Sequence, residues 1–77
     1  MSRSVFTKKY ERLCSLLVES RQAINLTQHQ VAMKLRRPQS FVSKYERGER
    51  RLDVVEFLEV AEALKVHPSR LIDRLLD

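Results

Sequence analysis

The chain has 77 residues, of which 43% are hydrophobic and 32% charged, and its formal net charge is +5. That balance belongs to a folded domain, but a chain so short buries only about 60% of the surface its unfolded form exposes, so a deep cleft within a large α/β scaffold is excluded. One glycine and two prolines disfavour a many-stranded β fold; the lone Cys14 excludes an internal disulfide framework or a cysteine-based zinc site; apolar runs of three residues at most give neither a signal peptide nor a membrane span, so the reducing cytoplasm is the expected compartment.

Phe6, Tyr10, Leu13, Leu17 and Ile24 recur at spacings of four, three, four and seven, which draws one apolar stripe on a first helix from about Val5 to Ile24. Asn25 stands where that helix should stop, since asparagine tolerates the left-handed backbone of a helix end. Thr27 and Gln30 have the spacing of a capping box and open a short second helix with Val31, Ala32 and Leu35 facing the core. Pro38 disfavours helical geometry at Arg37, so this helix should end near Leu35 or Arg36. The same proline suits the start of a third helix, from about Gln39 to Arg47, which Gly48 closes. Asp53 and Glu56 precede the periodic set Val54, Phe57, Leu58, Ala61 and Leu64, which predicts a fourth helix from about Asp53 to Lys65. Pro68 opens a last helix with Leu71, Ile72, Leu75 and Leu76 on one side. The expected fold class is therefore all-α, with five helices in one domain over 1–77, a core over about 10–66 and a C-terminal helix over about 68–76.

Two short helices joined by about three residues form a helix-turn-helix, whose second member can enter the major groove of DNA. Turning each residue of the third helix through about 100° puts Val42, Tyr45 and Glu46 toward the protein and Ser40, Ser43, Lys44 and Arg47 on the opposite arc. Hydroxyls and cations of that kind hydrogen-bond to base edges and phosphates, although the outer face of any surface helix has a similar make-up. The charge distribution points the same way. Residues 27–51 carry seven Lys and Arg against two carboxylates, whereas residues 52–77 carry three against six. A basic stripe of this kind attracts a polyanion, and it is also what keeps a small protein in solution.

At this stage the other reactive side chains read as structural. Cys14 lies beside core positions and is expected to be a buried thiol rather than a redox sensor. His29 and His67 are far apart, without a carboxylate at metal-ligand spacing, and suit surface or capping roles; no metal, cofactor or small-molecule ligand is expected. Glu56, Glu59 and Glu62 read as one solvated helix face. Phe41 reads as core edge in preference to a thymine-methyl contact.

Leu26-Thr27-Gln28-x-x-Val31-Ala32-x-x-Leu35, then the run from Pro38 to Arg51 (PQSFVSKYERGERR), then Leu52-Asp53-x-x-x-x-Leu58-x-x-x-Ala61-x-x-Leu64-x-Val66, resemble the Cro/repressor-type (XRE) helix-turn-helix family over about residues 10–67. The resemblance implies a five-helix, lambda-repressor-like DNA-binding domain, usually a homodimer acting as a transcriptional regulator in a bacterium or phage. It implies that Gln28 touches a phosphate and buttresses the recognition helix, that Gln39, Ser40 and Lys44 read bases, that Arg47 contacts the DNA backbone, and that Arg21 and Glu46 form an ion pair. Ser43, Arg36 and Arg37 add candidate backbone contacts. Arg36 stands where the family usually has a turn glycine, and Pro38 replaces a frequent N-cap serine. The expectation is a transcription factor without catalytic activity, bound to double-stranded DNA as a homodimer through Leu71, Ile72, Leu75 and Leu76. The alternative is an antitoxin-like protein-interaction module that keeps the same fold.

Overall fold

The structure, a computed structural model, describes residues 7–77, so the expectations placed on Val5 and Phe6 lie outside the described residues. Five helices follow one another: α1 (Lys8–Ala23), α2 (Gln28–Leu35), α3 (Gln39–Glu46), α4 (Val54–Ala63) and α5 (Pro68–Leu76). The fold is all-α, and no strand occurs among the described residues. No helix among them is long and apolar enough to cross a membrane.

Local chemistry sets the boundaries. The Thr7 hydroxyl accepts from the Tyr10 amide and starts α1. Thr27 with Gln30, and Asp53 with Glu56, close reciprocal capping boxes at the starts of α2 and α4, each satisfying two amides that a helix start leaves unpaired. His67 caps α5, its Nδ1 accepting from the Ser69 amide at 3.4 Å. At the other ends α1, α2, α3 and α4 all finish in the same double hydrogen bond, for example Leu26 N to Arg21 O and Asn25 N to Gln22 O. Each of these turns needs one left-handed residue. Only α3 uses glycine (Gly48, φ 76°); Asn25, Arg36 and Lys65 adopt φ 58°, 57° and 59° with a Cβ in place. The left-handed backbone at Arg36 settles what its turn does without glycine, and Lys65 is a third such position that the fourth-helix boundary did not reveal.

The core joins Leu16 and Leu17 of α1, Val31 and Ala32 of α2, Phe41, Val42 and Tyr45 of α3, Val60, Ala61 and Leu64 from α4 and its C-cap, and Leu71 of α5. Four sequence expectations are corrected here. Ile24 is the C-cap of α1, outside the helix, and is exposed, while Leu16 is buried in its stead. The inner face of α4 is rotated: Val60, Ala61 and Leu64 are buried, whereas Val54 and Leu58 remain on the surface. The apolar arc of this helix is wider than its core contact, so periodicity alone placed the centre of the arc inward. Glu56 is not part of a solvated face; it is buried, accepting two hydrogen bonds from Arg50 and one from the Asp53 amide. Leu71 is fully buried within its own chain and offers no surface to a second one.

Arg12 ties the two ends of the chain together, its Nε and Nη2 donating to the Arg74 carbonyl at 3.1 and 2.9 Å. Those bonds satisfy a carbonyl at the end of α5 that the helix leaves open. Tyr10 bridges differently: its hydroxyl donates to Arg50 O and accepts from Leu52 N, anchoring α1 to the segment between α3 and α4.

Candidate nucleic-acid interface

The helix-turn-helix is α2, the turn Arg36–Pro38, and α3. Arg36 N and Arg37 N donate to Met33 O and Ala32 O, which close α2 and swing the chain round. Pro38 then presents an extended backbone (φ −66°, ψ 153°) as the N-cap of α3 without a side-chain cap bond, the missing bond that its replacement of a serine implies. The inner side of α3 is firmly held. Val42 and Tyr45 are 0% exposed, Phe41 packs edge-on against Tyr45 with centroids 5.5 Å apart, and the Cys14 thiol donates to the Tyr45 carbonyl at 3.2 Å. Burial pushes the Cys14 thiol above its ordinary pKa, consistent with an inert core thiol. The outer side carries Gln39, Ser40, Lys44 and Arg47, all exposed, with Ser43 half-buried beside them.

A polar chain fixes this helix to the rest of the domain. Arg21 donates to Glu46 through Nε at 2.7 Å and Nη2 at 3.1 Å, and through Nη1 to Leu26 O. Glu46 also accepts from Gln28 Nε2 at 2.9 Å, and Gln28 Oε1 in turn accepts from Gln39 Nε2 at 3.4 Å. A carboxylate only accepts hydrogen bonds, so Glu46 turns the nitrogen of the Gln28 amide inward and its oxygen toward Gln39. Gln39 therefore spends one N–H on Gln28 and keeps its Oε1 and a second N–H for the solvent side.

On the other flank, two guanidinium groups cover Phe41: Arg37 at 4.4 Å and Arg50 at 4.8 Å from the ring centre. Both also reach Glu56, at 3.6 and 2.8 Å, and Arg37 touches Glu59 at 4.0 Å. Phe41 is thus core edge. Hydrogen bonds from Arg50, then from the Asp53 amide, hold the Glu56 carboxyl down at about 2. The pairing of Arg50 with Glu56 escaped the sequence reading because neither contributes to an apolar period; six residues apart, they meet only through the turn after α3. Of the cations proposed from sequence, Arg36 and Lys44 have no ion-pair partner among the described residues, Arg37 is committed to Phe41 and two carboxylates, and Arg47 pairs with Glu49. No three His, Cys, Asp or Glu residues gather at metal-binding distance among the described residues.

Away from α3, an apolar surface spans α4 and α5. Val54, Val55 and Leu58 of α4 and Ile72 and Leu76 of α5 are exposed, and a groove of about 210 Å³ runs between Leu13, Leu52, Val54, Phe57, Ile72 and Leu75.

The Helix-turn-helix family model matches residues 17–71, which takes in all of the core but Leu16, the turn and the whole of α3. The chain belongs to the XRE-type helix-turn-helix family. Among solved structures, this helix-turn-helix protein is similar to an XRE-family like protein from Pseudomonas syringae, with 46% identity, a TM-score of 0.84, and 87% of this chain and 82% of that chain covered. It is also similar to the restriction-modification controller protein C.AhdI from Aeromonas hydrophila, at 31% identity and a TM-score of 0.78, covering 84% and 98%. A tetramer of the controller protein C.Esp1396I in complex with its natural 35 base-pair operator shares the fold at 18% identity, with a TM-score of 0.83 and coverage of 92% and 93%. No curated protein sequence matched.

Proposed function

We propose that this helix-turn-helix protein is a sequence-specific, double-stranded-DNA-binding transcriptional regulator that acts as a homodimer on a roughly palindromic operator. The observation that carries the proposal is the division of α3: Val42 and Tyr45 are sealed in the core while Gln39, Ser40 and Lys44 stand exposed along the opposite side. A rod held rigidly on one side and polar on the other fits the major groove, and its N-terminal tip goes deepest. Gln39, Ser40 and Lys44 are the base-reading set; Gln39 keeps an acceptor and a donor free, the pair an adenine edge requires. Gln28, Ser43, Arg36 and Arg47 are the backbone set, and Arg37, which also covers Phe41 and reaches two carboxylates, belongs to it. The similarity to a restriction-modification controller at 31% identity supports a regulatory role.

The dimer is assigned to the apolar surface of Ile72, Leu75 and Leu76, widened by Val54, Val55 and Leu58. Several exposed apolar side chains around one groove on so small a domain favour a partner, and a closed two-fold pairing is the commonest form. Two recognition helices would then sit about 34–36 Å apart, facing successive major grooves. Selection of bound sequences from random duplex DNA at near-physiological salt, with the solution mass measured in parallel, tests both parts. A palindromic consensus and a mass of two chains are expected; equal binding of selected and scrambled duplexes overturns the reading. The same apolar surface is what an antitoxin-like module would use, and a stoichiometric complex with a different protein, without DNA preference, would favour that alternative.

A further inference from the structure

We propose that Glu49 is a built-in competitor for Arg47, occupying the side of its guanidinium that a DNA phosphate would take. The proposal rests on the DNA-binding reading above and adds a residue that tunes it. Arg47 Nε and Nη2 donate to Glu49 Oε2 and Oε1, both at 3.0 Å, and Nη1 donates to Ser43 Oγ at 2.9 Å. This is the parallel, two-bond geometry by which arginine grips carboxylates and phosphates alike. The Ser43 bond folds the guanidinium back along the outer face of α3, so the pair lies on the surface that faces the groove.

The placement of Glu49 is a consequence of the helix end. Gly48, buried and left-handed at φ 76°, reverses the chain after Arg47, and the Glu49 amide donates to Lys44 O at 2.8 Å. That closure sets the Glu49 backbone against the last turn of α3 and brings a carboxylate to a cation two residues earlier, a pairing that helical spacing of three or four would not produce. Lys44 lies within the electrostatic reach of the same carboxylate and lowers its pKa further, after the hydrogen bond from Arg47.

The consequence is a cation that does not act as one. A phosphate approaching Arg47 meets a neutral pair, must displace the carboxylate, and then has a negative charge beside it. Counterions leave DNA in proportion to the phosphates a protein neutralises, so the pair subtracts about one from that number. Because both side chains are more than half exposed, the competition is modest and reversible.

A double-mutant cycle tests the proposal: wild type, Glu49→Gln, Arg47→Ala and the double variant, titrated against selected and scrambled duplexes over a range of salt. Glu49→Gln should tighten binding to both duplexes about two- to fivefold and steepen the dependence of log affinity on log salt by about one. The loss caused by Arg47→Ala should be larger by a similar factor in the Glu49→Gln background than in the wild type. Unchanged affinity on Glu49→Gln overturns the proposal. So does an equal gain with or without Arg47, which would mean that the carboxylate merely repels DNA at a distance. Should every variant bind selected and scrambled duplexes alike, the sequence-specific reading fails, while the coupling measured on scrambled duplex still decides the role of Glu49. An independent readout needs no DNA: the Arg47 Nε resonance of the free protein should move on Glu49→Gln, and its failure to move also overturns the proposal.

Discussion

Ser40 and Lys44 owe their exposure to residues beside them on the same helix. Val42 and Tyr45 lie on the opposite side of α3 and are completely buried, so the helix cannot roll without exposing them. Replacing Gln39 or Ser40 by alanine should weaken binding to a selected duplex by about 1–3 kcal/mol and leave scrambled duplex nearly unchanged, as competition titrations with the two duplexes would show. Equal losses on both would move these residues from base reading to backbone contact. The outward placement of Ser40 and Lys44 was legible in the sequence because a helix of known start converts residue number directly into angle. Glu56 was not. Its chemistry depends on Arg37 and Arg50, which converge on it only after the chain has turned twice. The Glu56 carboxyl is held near 2 in the folded protein against an ordinary 4.5, so between those values the unfolded chain binds more protons than the native one. The stability that Glu56 contributes is complete above about pH 4.5 and is lost as pH falls toward 2. Urea unfolding of the wild type and Glu56→Gln should converge across that window as the pH is lowered; parallel curves would show that the interaction is absent.

At the scale of the elements, capping chemistry explains why so short a chain defines five helices. Two reciprocal capping boxes and a threonine cap start α1, α2 and α4, and a common left-handed closure ends four of the five. The starts of α2 and α4 were legible because their caps are spelled out at fixed spacing, whereas α1, expected from about Val5, begins at Lys8 with Thr7 as its cap, a residue the apolar period had placed inside the helix. The ends were partly legible: Asn25 and Gly48 announce themselves, whereas Arg36 and Lys65 take the left-handed backbone with nothing in their side chains to favour it. A Cβ in that region costs about 1 kcal/mol or somewhat more. Lys65→Gly, away from the proposed interface, should therefore raise stability by about 0.5–1 kcal/mol, which for a domain of this size is a few degrees in melting temperature. A lower melting temperature would show that the entropy glycine adds to the unfolded chain outweighs the strain relieved.

For the whole molecule, the two surfaces have opposite characters: a cationic and polar edge along α2, the turn and α3, and an apolar one across α4 and α5. Ile72→Glu or Leu58→Glu, each on an already exposed side chain, should leave the helical content intact and give one-chain mass by sedimentation equilibrium. Operator affinity should fall with it, since each half of a palindrome would then be bound separately. A persistent dimer in both variants would move the interface elsewhere. What the sequence determined alone was the order of the helices, the starts of the last four, and the outward face of α3, because these follow from periods and caps that act within a few residues. Tertiary structure decided the rotation of α4, the burial of Leu71 and Glu56, and the pairing of Arg47 with Glu49. Those depend on which of several apolar or charged faces meets a neighbour brought close by folding, and no local spacing encodes that choice.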